Sequence, residues 1–169
     1  MEVSQAVRTM LAVRKYQDKA IDEATVTRIV EAGRLTGSSR NRQHWDFVVV
    51  RDKERIKQLG ALATTGAYMA DAALAIAVVV PDTPSGVMDG ARATQDMMLV
   101  AWGEGIGSNW VGNMNKPEIK ELLAVPEDKI ILVVIPFGYP AEKIGAGKKN
   151  RKPLSEVAHA EQYGSPYNG

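Results

Sequence analysis

Ala72-Ala73-Leu74-Ala75-Ile76-Ala77-Val78-Val79-Val80 is the longest apolar run in the chain, and Pro81 closes it. It falls far short of the ~20 residues a bilayer-crossing helix requires. A core strand over about Ala73 to Val80 fits it, because unbroken apolar character is what a strand covered on both faces needs. A strand so enclosed requires helices on each side, and the flanking sequence supplies them.

Before the run, Val3, Ala6, Val7 and Met10 fall at the spacing of one helical face. They lead into Leu11-Ala12-Val13-Arg14-Lys15-Tyr16, a compact basic stretch expected to be extended. Asp22 is placed to cap a second helix, whose stripe of Val26, Ile29, Val30 and Gly33 runs to about Leu35. A strand is expected from about Trp45 to Arg51, then a surface helix from Lys53 to Leu62 with Ile56, Leu59 and Gly60 inward. After the run, Pro81 to Gly86 reads as a turn-rich loop. The longest helix follows from Val87 to Glu104, apolar over much of its circumference, and Gly103, Gly105 and Gly107 end it. Ser108 to Val111 reads as a short strand, Lys116 to Leu123 as a helix, and Ile130 to Phe137 as the last core strand. Four strands alternating with helices predict a sheet covered by helices on both faces, in one domain spanning residues 1–169. The pattern leaves strand order open.

The chain has 169 residues, 21 basic and 20 acidic, so no global field would draw it to nucleic acid or a membrane surface. It has no cysteine, which excludes disulfides, thiolate metal sites and a Cys nucleophile. Met1 to Gln5 carries an acid and no apolar segment of the secretory type, so a cytoplasmic protein is expected.

Side-chain catalysis has little support. The two histidines, His44 and His159, sit in no nucleophile motif, and the serine-hydrolase, zinc-protease and Walker patterns are missing. No metal site is expected. Gly103-Glu104-Gly105-Ile106-Gly107 resembles part of a dinucleotide fingerprint but follows a helix instead of a strand. Three polar groups remain: Arg14 with Lys15, the loop from Ser38 to Trp45, and Lys149-Asn150-Arg151 in a tail that also holds Lys143, Lys148 and Lys152. Together they suit a phosphate and a planar hydrogen-bonding ring. Each read alone fits a solvated face or a capped turn better than a binding site.

The order of these features resembles the nitroreductase family of flavin enzymes over nearly the whole chain. Val13-Arg14-Lys15-Tyr16 matches the second half of the family's N-terminal Arg-Arg-Ser-Xaa-Arg-Xaa-Tyr segment. Gly37-Ser38-Ser39-Arg40-Asn41-Arg42-Gln43-His44-Trp45 resembles its Pro-Ser-Xaa-Xaa-Asn-Xaa-Gln-Pro-Trp loop. Gly105-Ile106-Gly107-Ser108-Asn109-Trp110-Val111-Gly112 resembles its Gly-Leu-Gly-Xaa-Xaa-Trp-Ile-Gly turn. Phe137-Gly138-Tyr139-Pro140 and Lys149 to Glu156 resemble its C-terminal strand end and phosphate clamp.

The resemblance implies an α+β sandwich with a central mixed or antiparallel sheet, and a homodimer with FMN at the subunit interface. Arg14, Lys149 and Arg151 would hold the phosphate. Ser38, Ser39 and Asn41 would hold ribityl and ring atoms from the partner chain, with Arg40 and Gln43 in the same flavin-binding loop. Val111, Gly112 and Asn113 would lie along the ring. The implied activity is ping-pong electron transfer from NADH or NADPH to a nitroaromatic, quinone or similar flat acceptor, with no catalytic side chain. A specialised flavin dehydrogenase, dehalogenase or flavin-cleaving enzyme, or a non-catalytic flavin-binding protein, are the alternatives. Three departures stand out. Met10-Leu11-Ala12 occupies the place of Arg-Arg-Ser, His44 replaces a proline, and Asn113 replaces a common glycine.

Overall fold

In the computed structural model the described residues are 1–142 and 149–167, so Lys143 and Lys148 of the basic tail lie outside them. Helix α1 (Val3–Thr9) is followed by an extended stretch and by α2 (Glu23–Leu35). Then come β1 (Asp46–Val50), α3 (Lys53–Ala61), β2 (Leu74–Pro81) and α4 (Pro84–Gly103). The remainder is β3 (Gly107–Ser108), α5 (Lys116–Leu122) and β4 (Lys129–Gly138). The strands stand in the order β1-β2-β4-β3, each ladder antiparallel. A parallel bridge between Ala12 and Ser108 extends the sheet at the β3 edge. The expected α+β architecture is therefore present, with an essentially antiparallel sheet.

Alternation along β2 shows why its sequence is apolar throughout. Leu74, Ile76, Val78 and Val80 point into one core with Ile29 of α2 and Met97 of α4, while Ala75, Ala77 and Val79 point into a second with Ile56 and Leu59 of α3 and Ile119 of α5. Large side chains face the α2–α4 layer; alanines let the other layer sit close. In β4 the pattern slips once. Val78 lies opposite Val133 but Val79 lies opposite Ile131, so Leu132 is an extra residue on β4. Leu132 and Val133 consequently both lean toward the α2–α4 core.

Local signals set several boundaries. Asp22 caps α2 by accepting the Thr25 N–H at 2.9 Å, and Asp52 caps α3 by accepting the Arg55 N–H at 2.9 Å. The long helix starts three residues before the sequence expectation. The Thr83 hydroxyl accepts the Gly86 N–H at 3.1 Å, and Pro84 fits the first turn because its missing N–H would have no helical partner there. The expected strand from Ser108 to Val111 is reduced to Gly107–Ser108. Chain and sheet part at Asn109 and Trp110 and meet again where Val111 pairs with Val134.

Candidate functional site

The extended stretch after α1 carries Arg14, the first of the expected site residues. The Val13 N–H donates to Ser108 O at 3.0 Å, the Gln17 N–H to Tyr139 O at 2.8 Å, and the Ala141 N–H to Lys15 O at 3.0 Å. Residues 12–17 are thus stitched along the sheet edge. Close approach there depends on Gly107, where an added Cβ would lie 2.2 Å from Val13 Cγ2. Met10 packs against the α2–α4 core, which explains why an apolar residue is stable there. Buried Tyr16 donates its hydroxyl to Val13 O at 2.8 Å. Burial raises the pKa of that phenol far above its ordinary value, so it stays neutral. Lys15 is engaged by Glu142 at 2.8 Å, whereas Arg14 is exposed and forms no ion pair among the described residues.

Lys149 donates to Val7 O at 2.6 Å, at the end of α1 from which the Arg14 stretch departs. Arg151 is exposed, and the contact recorded for its guanidinium is with Asn150 O at 2.8 Å. Within the described residues none of these three cations has a carboxylate partner, a donor set that suits a phosphate.

The turn at 111–113 is anchored from below. The Val111 N–H donates to Val134 O and Val134 returns the bond to Val111 O, each at 3.1 Å. Val111 therefore has no N–H to offer a ligand. Asn113 O accepts from Thr64 N at 3.0 Å, but the N–H groups of Gly112 and Asn113 have no partner among the described residues. Ser108, opposite Val13, lies three residues before Val111, about 10 Å at a strand's rise. Exposed Trp110 flanks this turn, and Asn109 donates its side-chain amide to the hydroxyl of Tyr68 beneath it.

The loop at Ser38–Gln43 belongs to a different neighbourhood. Buried Asp89 of α4 accepts the Ser39 N–H through Oδ2 at 2.9 Å, and its Oδ1 lies 3.9 Å from Arg92. Within the loop, Ser38 Oγ accepts the Gln43 N–H at 2.9 Å. Arg40, Asn41 and Gln43 have φ of 53°, 54° and 53°. That left-handed region costs an L-residue roughly 1–2 kcal/mol, less for asparagine. The side chains of Ser39, Arg40, Asn41 and Gln43 lie at the surface. His44, next in the chain, is half-buried, and its enclosed Nδ1 lacks a hydrogen-bond partner among the described residues.

No hydrogen bond or ion pair among the described residues joins this loop to Arg14, Gly112, Asn113 or Lys149. Its anchor, Asp89, precedes Trp102 by thirteen residues on α4, about 20 Å along a helix axis. Trp102 is where α1 attaches, its Nε1 donating to Thr9 Oγ1 at 2.9 Å. Within one chain the loop and α1 are thus anchored at well-separated points of α4. A groove of about 510 Å³ between α1, α2 and α4, lined by Met1, Val3, Ala6, Leu35, Leu99 and Val100 among others, lies on the same side of the molecule as α1.

The sequence reading missed Asp89, Tyr68 and Asn109. Asp89 left a signal, being an acid in register with Ala93 and Met97 on the buried stripe of α4, where a charge requires a partner. Tyr68 and Asn109 left none, because their pairing depends on how two turns meet.

The family model described as "Putative TM nitroreductase" matches residues 2–168. A "Putative NADH dehydrogenase/NAD(P)H nitroreductase" of Methanothermobacter thermautotrophicus is 32% identical over 154 residues, spanning 86% of this chain and 81% of the relative. The "FMN reductase [NAD(P)H]" of Bacillus subtilis is 25% identical over 187 residues, spanning 96% of this chain and 74% of that one. Among solved structures, nitroreductase A from Vibrio parahaemolyticus superposes with a TM-score of 0.88 at 26% identity, over 96% of this chain and 77% of that one. With the sandwich, the stitched Arg14 edge and the pinned loop in place, these matches make this chain a member of the nitroreductase family.

Proposed function

We propose that this protein is a cytoplasmic, homodimeric, single-domain oxidoreductase that binds FMN between its two subunits and works by a ping-pong sequence. FMN, when bound, supplies hydride and electron transfer from NADH or NADPH to a flat acceptor such as a nitroaromatic or quinone. The observation that carries the reading is the donor set at the sheet edge. Among the described residues Arg14 has no carboxylate partner, Lys149 reaches the end of α1, Arg151 is exposed, and the N–H groups of Gly112 and Asn113 are unused. Such donors fit a phosphate at one end and ring acceptor atoms at the other.

In this reading Arg14, Lys149 and Arg151 bind the phosphate oxygens. Gly112 and Asn113 direct backbone N–H groups at the ring edge, and Val111, with its own N–H tied to Val134, fixes the turn. Ser38, Ser39, Arg40, Asn41 and Gln43 act from the partner chain, a role supported by their anchor Asp89, which lies about 20 Å along α4 from Trp102, where α1 attaches. The groove between α1, α2 and α4 supplies apolar surface for that pairing. Met1, Val3, Val7 and Leu35 are all more than half exposed without it, consistent with an interface. No side-chain nucleophile or base is required, which accounts for two histidines remote from any catalytic pattern.

The purified protein is expected to be yellow, to lose visible absorbance on anaerobic addition of NADH or NADPH, and to recover it with a quinone. Varying donor and acceptor together should give parallel double-reciprocal lines. A colourless protein that does not take up added FMN refutes the proposal.

A further inference from the structure

We infer that Asp89 is a positioning residue that holds the Ser38–Gln43 loop in its ligand-ready shape without itself touching the ligand. The inference rests on the reading of that loop as part of the flavin site.

Asp89 is 3% exposed, on the buried stripe of α4, where a carboxylate is stable only if its oxygens are engaged. Oδ2 accepts the Ser39 N–H at 2.9 Å, and Oδ1 lies 3.9 Å from the guanidinium of exposed Arg92. Gly37, immediately before the loop, leaves room for that guanidinium: an added Cβ would lie 3.0 Å from Arg92 Nη2. Three of the next four residues after Ser39 have left-handed backbone, a conformation that persists only where surrounding structure dictates it. Beside the loop's own turn bonds, two side chains tie its ends. Ser38 Oγ ties the far end of the loop through the Gln43 N–H, and Asp89 ties the near end to a rigid helix. The result is a row of outward polar side chains whose spacing is fixed before any ligand arrives, which lowers the ordering cost of binding.

The test uses the full chain freed of flavin, with Asp89→Ala and Asp89→Asn beside the wild type. Amide hydrogen exchange over residues 38–43 and the FMN dissociation constant from fluorescence titration are the two readouts. Asp89→Ala is expected to speed exchange at Ser39 at least tenfold and to raise the FMN dissociation constant about tenfold. Asp89→Asn keeps an acceptor oxygen and should recover most of both. Wild-type values in Asp89→Ala overturn the inference, as does lost FMN affinity with unchanged exchange. Faster exchange with unchanged FMN affinity overturns it through the flavin reading of the loop, while still locating the pin. If Asp89→Ala does not fold, the wild type decides. A Ser39 amide exchanging at the rate of an open loop overturns the inference, and one at least tenfold slower supports it.

Discussion

Replacing Gly107 by alanine tests whether the Arg14 stretch is held by backbone contact with the sheet edge. The new Cβ would lie 2.2 Å from Val13 Cγ2, 2.6 Å from Val13 Cβ and 2.9 Å from Val13 Cγ1. Turning the valine side chain gives no relief, because its own Cβ is already too near. The stretch must therefore retreat by about 1 Å to restore ordinary carbon contacts near 3.5–4.0 Å. Overpacking of this kind costs roughly 1–3 kcal/mol. The bond from the Val13 N–H to Ser108 O, worth about 1 kcal/mol, weakens with it. A total of roughly 2–4 kcal/mol corresponds to a fall of about 5–15 °C in Tm for a domain of this size. The assay is thermal unfolding at fixed protein concentration, because the proposed dimer would make Tm depend on concentration. Val13→Ala and the double variant complete a mutant cycle. The valine truncation carries a cavity cost of its own, but in the double variant it removes the two Cγ contacts and leaves only the one with Cβ, so part of the clash is relieved and a coupling energy of at least about 1 kcal/mol is expected. A Gly107→Ala protein within about 0.5 kcal/mol of wild type, or strict additivity in the cycle, refutes the reasoning.

Arg14→Ala removes charge-assisted bonds worth roughly 1.5–3 kcal/mol, so FMN affinity should fall about ten- to a hundredfold in a fluorescence titration; unchanged affinity would move the phosphate elsewhere. Leu35→Glu puts a charge on the groove between α1, α2 and α4 at a residue that is exposed in the single chain. The variant should sediment as a folded monomer with weakened flavin retention, and a stable flavin-loaded dimer would contradict the interface. Asp22 is held below the usual carboxylate range, first by its side-chain bond to Thr25 and then by the Thr25 N–H. A lowered folded-state pKa stabilises above the unfolded value near 4 and loses that contribution as pH falls through the folded value. Urea midpoints between pH 6 and pH 2.5 should therefore decline more steeply for the wild type than for Asp22→Asn, and identical profiles would remove Asp22 as a contributor.

Much of the layer structure was legible because it follows from spacing and capping. Val26, Ile29 and Gly33 declare the buried face of α2, and Asp22 announces its start. The unbroken run to Val80 required cover on both sides of the sheet, and both sides are covered. Strand order was not legible, since antiparallel pairing of β2 with β4 across fifty residues leaves no local trace. The start of α4 was misplaced because Pro84 and Gly86 punctuate a loop as readily as they open a helix; only the Thr83 cap decides. At the candidate site, Arg14, the Ser38 loop and the 111–113 turn take their expected roles from the resemblance, not from local spacing. That Val111 has spent its N–H on Val134, and that the loop hangs from Asp89 far along α4, are facts of tertiary pairing.

The extra residue in β4 also bears on how this strand can change in length. Removing Leu132 would bring Ile131 and Val133 into direct succession, opposite Val79 and Val78 as they are now. Every remaining side chain would keep its face, and Gly138 would keep its place opposite Gly107. Deleting a residue from Val134 to Pro136 with the bulge kept would instead turn Phe137 toward the alanine side of the sheet and slide the edge that carries Arg14 out of step. Deletions accumulating in such a protein should therefore be absorbed at the Leu132–Val133 pair, where the frame of the sheet can be edited without being reread.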